Sequence, residues 1–158
     1  MKTALLLIAV GLLAFMAVVM AYVRLAPSDP ARWHRPIHPA GSVFTPGFGE
    51  PTRVFKKEGG AWGYMVRLSE PPETVLERLD LIALGTPRTR RIAGSPEEGM
   101  VTWVTRSALW GFPDYTTAQA LSARDGTQLF LEARQRFGSE DFGVNEARLR
   151  AWLAALGG

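Results

Sequence analysis

Five charged side chains in the C-terminal half of the chain are of kinds that bind or act on an anion. They are three arginines and two aspartates: Arg106, Arg136, Arg148, Asp114 and Asp141. A guanidinium is permanently charged, and its planar fork binds the oxygens of a carboxylate or phosphate through two hydrogen bonds. The residues predict either a site for a small anionic substrate or buried Arg–Asp pairs that organise a loop.

The segment around Asp141 has an unusual composition. Gly138 and Gly143 permit backbone conformations that other residues avoid, and the side chains of Asp141 and Asn145 can accept hydrogen bonds from nearby backbone amides. We therefore predict an ordered loop here, followed by a helix with Asn145 at its N-cap.

Residues 109–115 form a second candidate site, a loop that carries Trp110, Phe112 and Tyr115. Its aromatic side chains either contact a ligand or partner or fold back over the core. Taken with the charged residues, the candidate binding residues are Arg106, Trp110, Phe112, Asp114, Arg136, Asp141, Asn145 and Arg148.

The familiar catalytic and metal-binding patterns are absent from the sequence. No Gly-x-Ser-x-Gly and no Gly-Lys-Ser/Thr occurs, and there is no cysteine to serve as nucleophile, metal ligand or disulfide partner. The only histidines are His34 and His38, and Pro36 and Pro39 disfavour the helix that would align their rings. We expect solvated histidines, no metal, no cofactor and no assignable catalytic residue.

Charge argues against nucleic acid as a partner. The net charge is +3, and beyond Lys2 the chain carries 17 basic and 15 acidic residues. So small an excess gives little affinity for phosphate backbones, and the only dense basic cluster comprises Arg88, Arg90 and Arg91.

The first 23 residues predict a transmembrane anchor. The 21 residues from Thr3 to Val23 lack charge, and as a helix they span about 31 Å, close to the hydrocarbon thickness of a bilayer. The alternative is a signal peptide cleaved after Val19-Met20-Ala21. Arg24, Arg32 and Arg35 argue for a cytoplasmic domain, but a single Lys2 before the first apolar segment is typical of signal anchors. We expect a single-pass protein of a bacterial cell membrane with a periplasmic domain.

Residues 24–53 are predicted to form a proline-rich spacer that holds the domain off the bilayer. Six prolines favour an extended chain: Pro27, Pro30, Pro36, Pro39, Pro46 and Pro51. Tyr22 and Trp33 are expected at the level of the headgroups.

Residues 54–158 predict one α+β domain, an antiparallel sheet with about two helices packed on one face. Two strands flank Gly59-Gly60. A helix follows Pro71 and Pro72, because Val75, Leu76, Leu79 and Ile82 recur at helical spacing. Further strands are predicted at 89–93, 100–106, 115–123 and 128–137, with a hairpin at Asp125-Gly126. A final helix carries the apolar stripe Leu149, Trp152, Leu153 and Leu156.

Three motifs stand out between about 106 and 156: Arg106-Ser107-x-Leu109, Gly111-Phe112-Pro113-Asp114 and above all Arg136-Phe137-Gly138-x-x-Asp141-x-Gly143-Val144-Asn145-x-x-Arg148. On these motifs the chain resembles the domain-of-unknown-function family 1499. The chain departs from the family pattern at Glu132, Glu140 and Glu146. The resemblance implies a small α+β domain tethered to or exported across a membrane, and no established reaction.

Two functions remain in competition. The first is a non-catalytic envelope module that binds a protein partner or a lipid-like ligand and is anchored by residues 3–23. The second is an enzyme that acts on a small anionic substrate through aspartates and arginines.

Overall fold

The computed structural model describes residues 1–37, 52–68, 70–123 and 126–157. The chain begins with a long helix α1 and a short helix α2, followed by six strands and two further helices. Their bounds are α1 Lys2–Leu25, α2 Pro30–Trp33, β1 Thr52–Lys57, β2 Gly60–Leu68, α3 Pro72–Gly85, β3 Thr89–Ser95, β4 Met100–Arg106, β5 Pro113–Ala123, β6 Gly126–Gln135 and α4 Val144–Gly157.

The six strands form one antiparallel sheet in the order β1-β2-β6-β5-β4-β3. The hairpin partners β5 and β6 lie at its centre, where Ala118 pairs with Leu131. Side chains alternate across β6 as predicted, with Leu129, Leu131 and Ala133 on one face and Phe130 and Arg134 on the other.

Helices α3 and α4 cover the first face of the sheet and bury the main core. The predicted stripes are confirmed, since Val75, Leu76 and Leu79 of α3 are fully buried and α4 contributes its four apolar residues. Trp103 of β4 meets Trp152 of α4 edge-to-face at 5.6 Å between ring centroids. The α+β architecture, with both helices on one face, is therefore confirmed.

The second face of the sheet is covered by residues that we predicted to be spacer. Trp33 stacks on Tyr115 of β5 with ring centroids 3.8 Å apart, and Ile37 packs against Tyr64 and Phe130. The Ile37 amide donates to Gln119 Oε1 at 2.9 Å. Trp33 is only 5% exposed, so its ring belongs to this core, and its level relative to the headgroups stays a prediction.

Three local predictions need correction, and two predicted residues lie outside the part of the chain that the structure describes. His34 is only partly exposed rather than fully solvated, and its Nδ1 lies 2.9 Å from Thr102 Oγ1 of β4. Strand β6 ends at Gln135, two residues before the predicted end, and the ring of Phe137 instead contacts Tyr22 of α1. Asn145 lies inside α4 rather than at its N-cap, and is fully buried. His38 and Asp125 lie outside the described residues.

Helix α1 has no cover along most of its length. Its most apolar 18-residue window has a mean hydropathy of 2.8, and none of that window is buried. By length and composition, α1 is able to cross a membrane.

A glycine at the start of β2 gives a test of the sheet. A Cβ on Gly60 would lie 2.0 Å from the carbonyl oxygen of Ala133 on β6. We expect Gly60→Ala to lower the free energy of unfolding by about 1–3 kcal/mol, because the strands must separate to accept the methyl group. Urea unfolding of the full-length protein in neutral detergent measures this.

The matched control is Gly85→Ala at the end of α3, where a Cβ would meet nothing within 4 Å. Its unfolding free energy should stay within about 1 kcal/mol of the wild type or rise. Equal losses in the two variants would contradict the close approach at Gly60.

Candidate functional site

Arg106, the last residue of β4, fastens the end of α1 to the domain. Its Nη1 donates to the carbonyl oxygens of Val23 at 3.2 Å and Gly111 at 2.9 Å, and its Nη2 donates to Ala26 O at 3.1 Å. A cation beside the C-terminus of a helix satisfies free carbonyl groups and interacts favourably with the helix dipole. Burial, together with the like charges of Arg90 and Arg136, lowers the pKa of Arg106.

Arg136 and Tyr115 fasten the residues that follow α1. Arg136 Nη1 donates to the carbonyl oxygen of Pro27, and the Tyr115 hydroxyl donates to Ser28 Oγ at 3.1 Å. Arg134 Nη2 donates to Trp33 O at 2.7 Å. Side chains of β4, β5, β6 and the residue after β6 therefore hold the segment from Ala26 to Trp33 through three of its backbone carbonyl groups and the Ser28 hydroxyl.

Trp110 and Phe112 of the 109–115 loop lie beside α1, whereas Tyr115 of the same loop is buried against Trp33. Phe112 lies 6.0 Å from Phe137 and 6.4 Å from Trp110 between ring centroids, and Phe137 in turn meets Tyr22 edge-to-face at 6.0 Å. Tyr22 is 66% exposed and Leu109 is 68% exposed. Four rings thus form an aromatic cluster around the last turn of α1: Tyr22, Trp110, Phe112 and Phe137.

An open cavity of about 500 Å³ lies next to this cluster. Four arginines line it, one from α1, two from β3 and the turn before it, and one from β4: Arg24, Arg88, Arg90 and Arg106. We call it the arginine pocket. Its remaining lining residues are uncharged: Thr89, Val104, Ser107, Ala108 and Gly111.

A second polar group lies where α4 packs on the centre of the sheet. Arg148 Nη1 lies 3.7 Å from Asp114 Oδ2, and its Nη2 donates to Thr116 Oγ1 at 3.2 Å and to Asn145 Oδ1. Asp141 accepts hydrogen bonds from the amides of Gly143 and Asn145 at 3.0 and 3.1 Å, which orders the loop before α4. We call Asp114, Asp141, Asn145 and Arg148 the buried polar cluster.

Burial dominates the electrostatics of this cluster. It raises the pKa of Asp114, against the opposing charge of Arg148, and it lowers the pKa of Arg148. Burial also acts to raise the pKa of Asp141, but hydrogen bonds from Gly143 and Asn145 outweigh it and leave that pKa lowered. Since Arg148 is 9% and Asn145 0% exposed, the cluster as it stands is closed to a substrate.

The structure thus divides the eight predicted residues into two groups. Arg106, Trp110, Phe112 and Arg136 surround the end of α1, whereas the other four form the buried polar cluster. Sequence reasoning missed Arg24, Arg88 and Arg90 as members of one site. The dense arginine run at 88–91 and the arginine that ends α1 were the available signals, but only the fold brings them together.

Comparison with known proteins finds a matching family model and a similar solved structure. No curated protein matches the chain. The solved structure of protein MLL2253 from Mesorhizobium loti is similar, with a TM-score of 0.47 and 14% sequence identity, covering 66% of this chain and 93% of that one. A family model described as "Protein of unknown function (DUF1499)" matches residues 60–156, which is more than half of the chain. The chain therefore belongs to the DUF1499 family, as the motif between Arg136 and Arg148 predicts.

Proposed function

We propose that this protein is a single-pass membrane protein whose domain is a non-catalytic binding module held against the periplasmic surface of a bacterial cell membrane. The observation that carries the proposal is the exposure of the apolar helix α1 together with its attachment to the domain. Its apolar surface is uncovered over the 18-residue window, yet its last turn is fastened to the domain through Arg106. Such a helix needs an apolar environment that the domain does not supply.

The polar residues near α1 support binding rather than catalysis. The arginine pocket is open and offers permanent positive charge, and its lining residues in the described part of the chain include no carboxylate or histidine that could serve as a general base. The module therefore has the means to hold an anion at the membrane surface and no evident means to transform it.

An enzyme is the second candidate, favoured by one observation. Asp114 has a raised pKa beside an arginine, and perturbed carboxyl groups are enriched at catalytic sites. A substrate reaches this pair only if α4 separates from the sheet. We therefore rank the buried polar cluster as a structural feature and the binding module as the better proposal.

Extraction of membranes at alkaline pH tests the anchor. We expect the wild type to remain in the membrane pellet and Leu12→Arg with Leu13→Arg to appear in the soluble fraction. Each arginine at the centre of a membrane helix costs about 2.5–3.5 kcal/mol of insertion free energy.

The matched control is Leu81→Arg with Leu84→Arg on α3, where both leucines are exposed on the domain surface. This variant should stay in the pellet. Release of the wild type, or a mature chain that begins at Tyr22, would contradict the anchor. Alkaline phosphatase fused to the C-terminus should be active, and an inactive fusion would reverse the orientation.

A further inference from the structure

We propose that the arginine pocket binds the phosphate of an anionic phospholipid headgroup. This inference deepens the proposed function and rests on it, because a bilayer lipid reaches the pocket only when α1 lies in a membrane. Three features of the pocket support a lipid phosphate as its ligand: its charge, its position and its rigidity.

The charge of the pocket is uncompensated. Four guanidinium groups line it, and among the described residues no acidic side chain does. Within the part of the chain that the structure describes, Arg24, Arg88, Arg90 and Arg106 form no ion pair with a carboxylate. Clustered like charges repel one another, so an anion that enters the pocket relieves this repulsion as well as forming its own contacts. Phosphate is a favoured ligand of such arginines, because the guanidinium fork bonds two of its oxygens.

The position of the pocket selects a lipid over a dissolved anion. Arg24 lies in the last turn of α1, directly after the uncharged run, and it also lines the pocket. Its Nη2 donates to Leu109 O at 2.8 Å, which joins the helix to the loop of the aromatic cluster. In a membrane helix, arginine and tyrosine at this depth lie at the level of the headgroup phosphates. The exposed Leu25 and Leu109 extend the apolar surface up to the pocket.

The pocket is held open by hydrogen bonds that involve its own arginines. Arg88 Nε donates to Arg106 O, and the Arg106 amide donates to Arg88 O, both at 3.1 Å. Arg88 adopts a left-handed backbone with φ of 60°, a conformation that a residue with a side chain rarely adopts. A site whose cations are positioned in advance loses less freedom when it binds. The volume of about 500 Å³ accepts a phosphate with a small polar headgroup.

The test uses the full-length protein in a neutral detergent. Short-chain phosphatidylglycerol, phosphatidylcholine and inorganic phosphate are added separately, and bound molecules are counted by native mass spectrometry across a titration. We expect phosphatidylglycerol to bind more tightly than phosphatidylcholine, and its affinity to fall as salt rises. Inorganic phosphate should bind with lower affinity than phosphatidylglycerol.

A pair of variants locates the binding. Arg88→Gln with Arg90→Gln removes two charges from the pocket, and we expect it to weaken phosphatidylglycerol binding by about tenfold or more, the effect of losing one or two charge-assisted hydrogen bonds. Arg32→Gln with Arg35→Gln removes the same charge from exposed residues that do not line the pocket. This control should bind as the wild type does.

Three outcomes would overturn the inference. Equal weakening in both variant pairs would mean that only net charge matters. Equal affinity for both phospholipids would remove the anionic requirement, and phosphate that binds as tightly as phosphatidylglycerol would make the pocket a site for soluble phosphate esters. Because binding is measured in detergent, it is independent of membrane extraction. A chain that binds phosphatidylglycerol but is released at alkaline pH would contradict the anchor alone.

Discussion

Replacing Trp33 with alanine is expected to lower the free energy of unfolding by about 3–5 kcal/mol, the usual cost of removing a buried aromatic side chain. Trp33 lies outside the region that the family model matches, yet it is 5% exposed and stacks on Tyr115 with an interplanar angle of 8°. The substitution also removes the contact between the ring and the Arg134 guanidinium, 5.9 Å from the ring centroid. Urea unfolding of the full-length protein in neutral detergent, followed by circular dichroism, measures the loss.

Trp110→Ala is the matched control, because Trp110 is only half-buried and belongs to no core cluster within the described residues. We expect its unfolding free energy to fall by about 1 kcal/mol or less. If Trp33→Ala unfolds at the same urea concentration as the wild type, residues 26–37 do not contribute to the stability of the domain.

Arg148→Met is expected to cost about 3–5 kcal/mol near neutral pH, because it leaves Asp114 charged and buried without its partner. The neighbouring Arg150→Met is the control. Arg150 forms an exposed pair with Glu146, and such pairs contribute about 1 kcal/mol or less. Both variants are compared with the wild type by urea unfolding.

The loss in Arg148→Met should depend on pH in a defined direction. The pKa of Asp114 in the folded protein is already raised above its ordinary value of 3.8, and without Arg148 it rises further. A raised folded-state pKa means that the ionised carboxyl destabilises the fold above that pKa, and that this cost disappears as pH falls toward the unfolded value. The loss should therefore be smaller at about pH 4 than at about pH 7.

Adding Asp114→Asn to Arg148→Met should recover part of the stability at neutral pH, because the uncompensated charge is gone. Equal losses at both pH values, with no recovery in the double variant, would show that the ion pair is not the cause. In that case the contact of Arg148 with the ring of Trp152, at 5.9 Å, would carry the effect through packing.

The helices and strands whose buried side follows from the spacing of their apolar residues could be predicted from the sequence. Val75, Leu76 and Leu79 repeat at helical spacing and form the buried face of α3, and Leu129 and Leu131 alternate with Phe130 across β6. The resemblance motif also places Asp141 correctly in an ordered loop before α4. In these cases the periodicity or turn chemistry of a short segment determines which side it buries.

The packing of residues 26–37 was not predictable from such patterns. Prolines indicate an extended chain but not what it lies against, and Trp33 contacts residues more than 80 positions away. On the strands, Thr102, Thr117 and Arg134 look like the solvent-facing side of an antiparallel sheet. They instead satisfy polar groups of this segment. The two-sided core therefore depends on contacts that only the tertiary fold brings together.

The same packing limits how the domain can move. Arg106 is the last residue of β4 and at the same time caps α1, so a tilt of the helix is passed to β4 and through it to the neighbouring strands. With α1 in a bilayer, the domain is therefore joined rigidly to the helix and moves with it, rather than on a flexible tether. A change in membrane thickness would then rotate the whole sheet, and partners could dock only at a fixed height above the lipid.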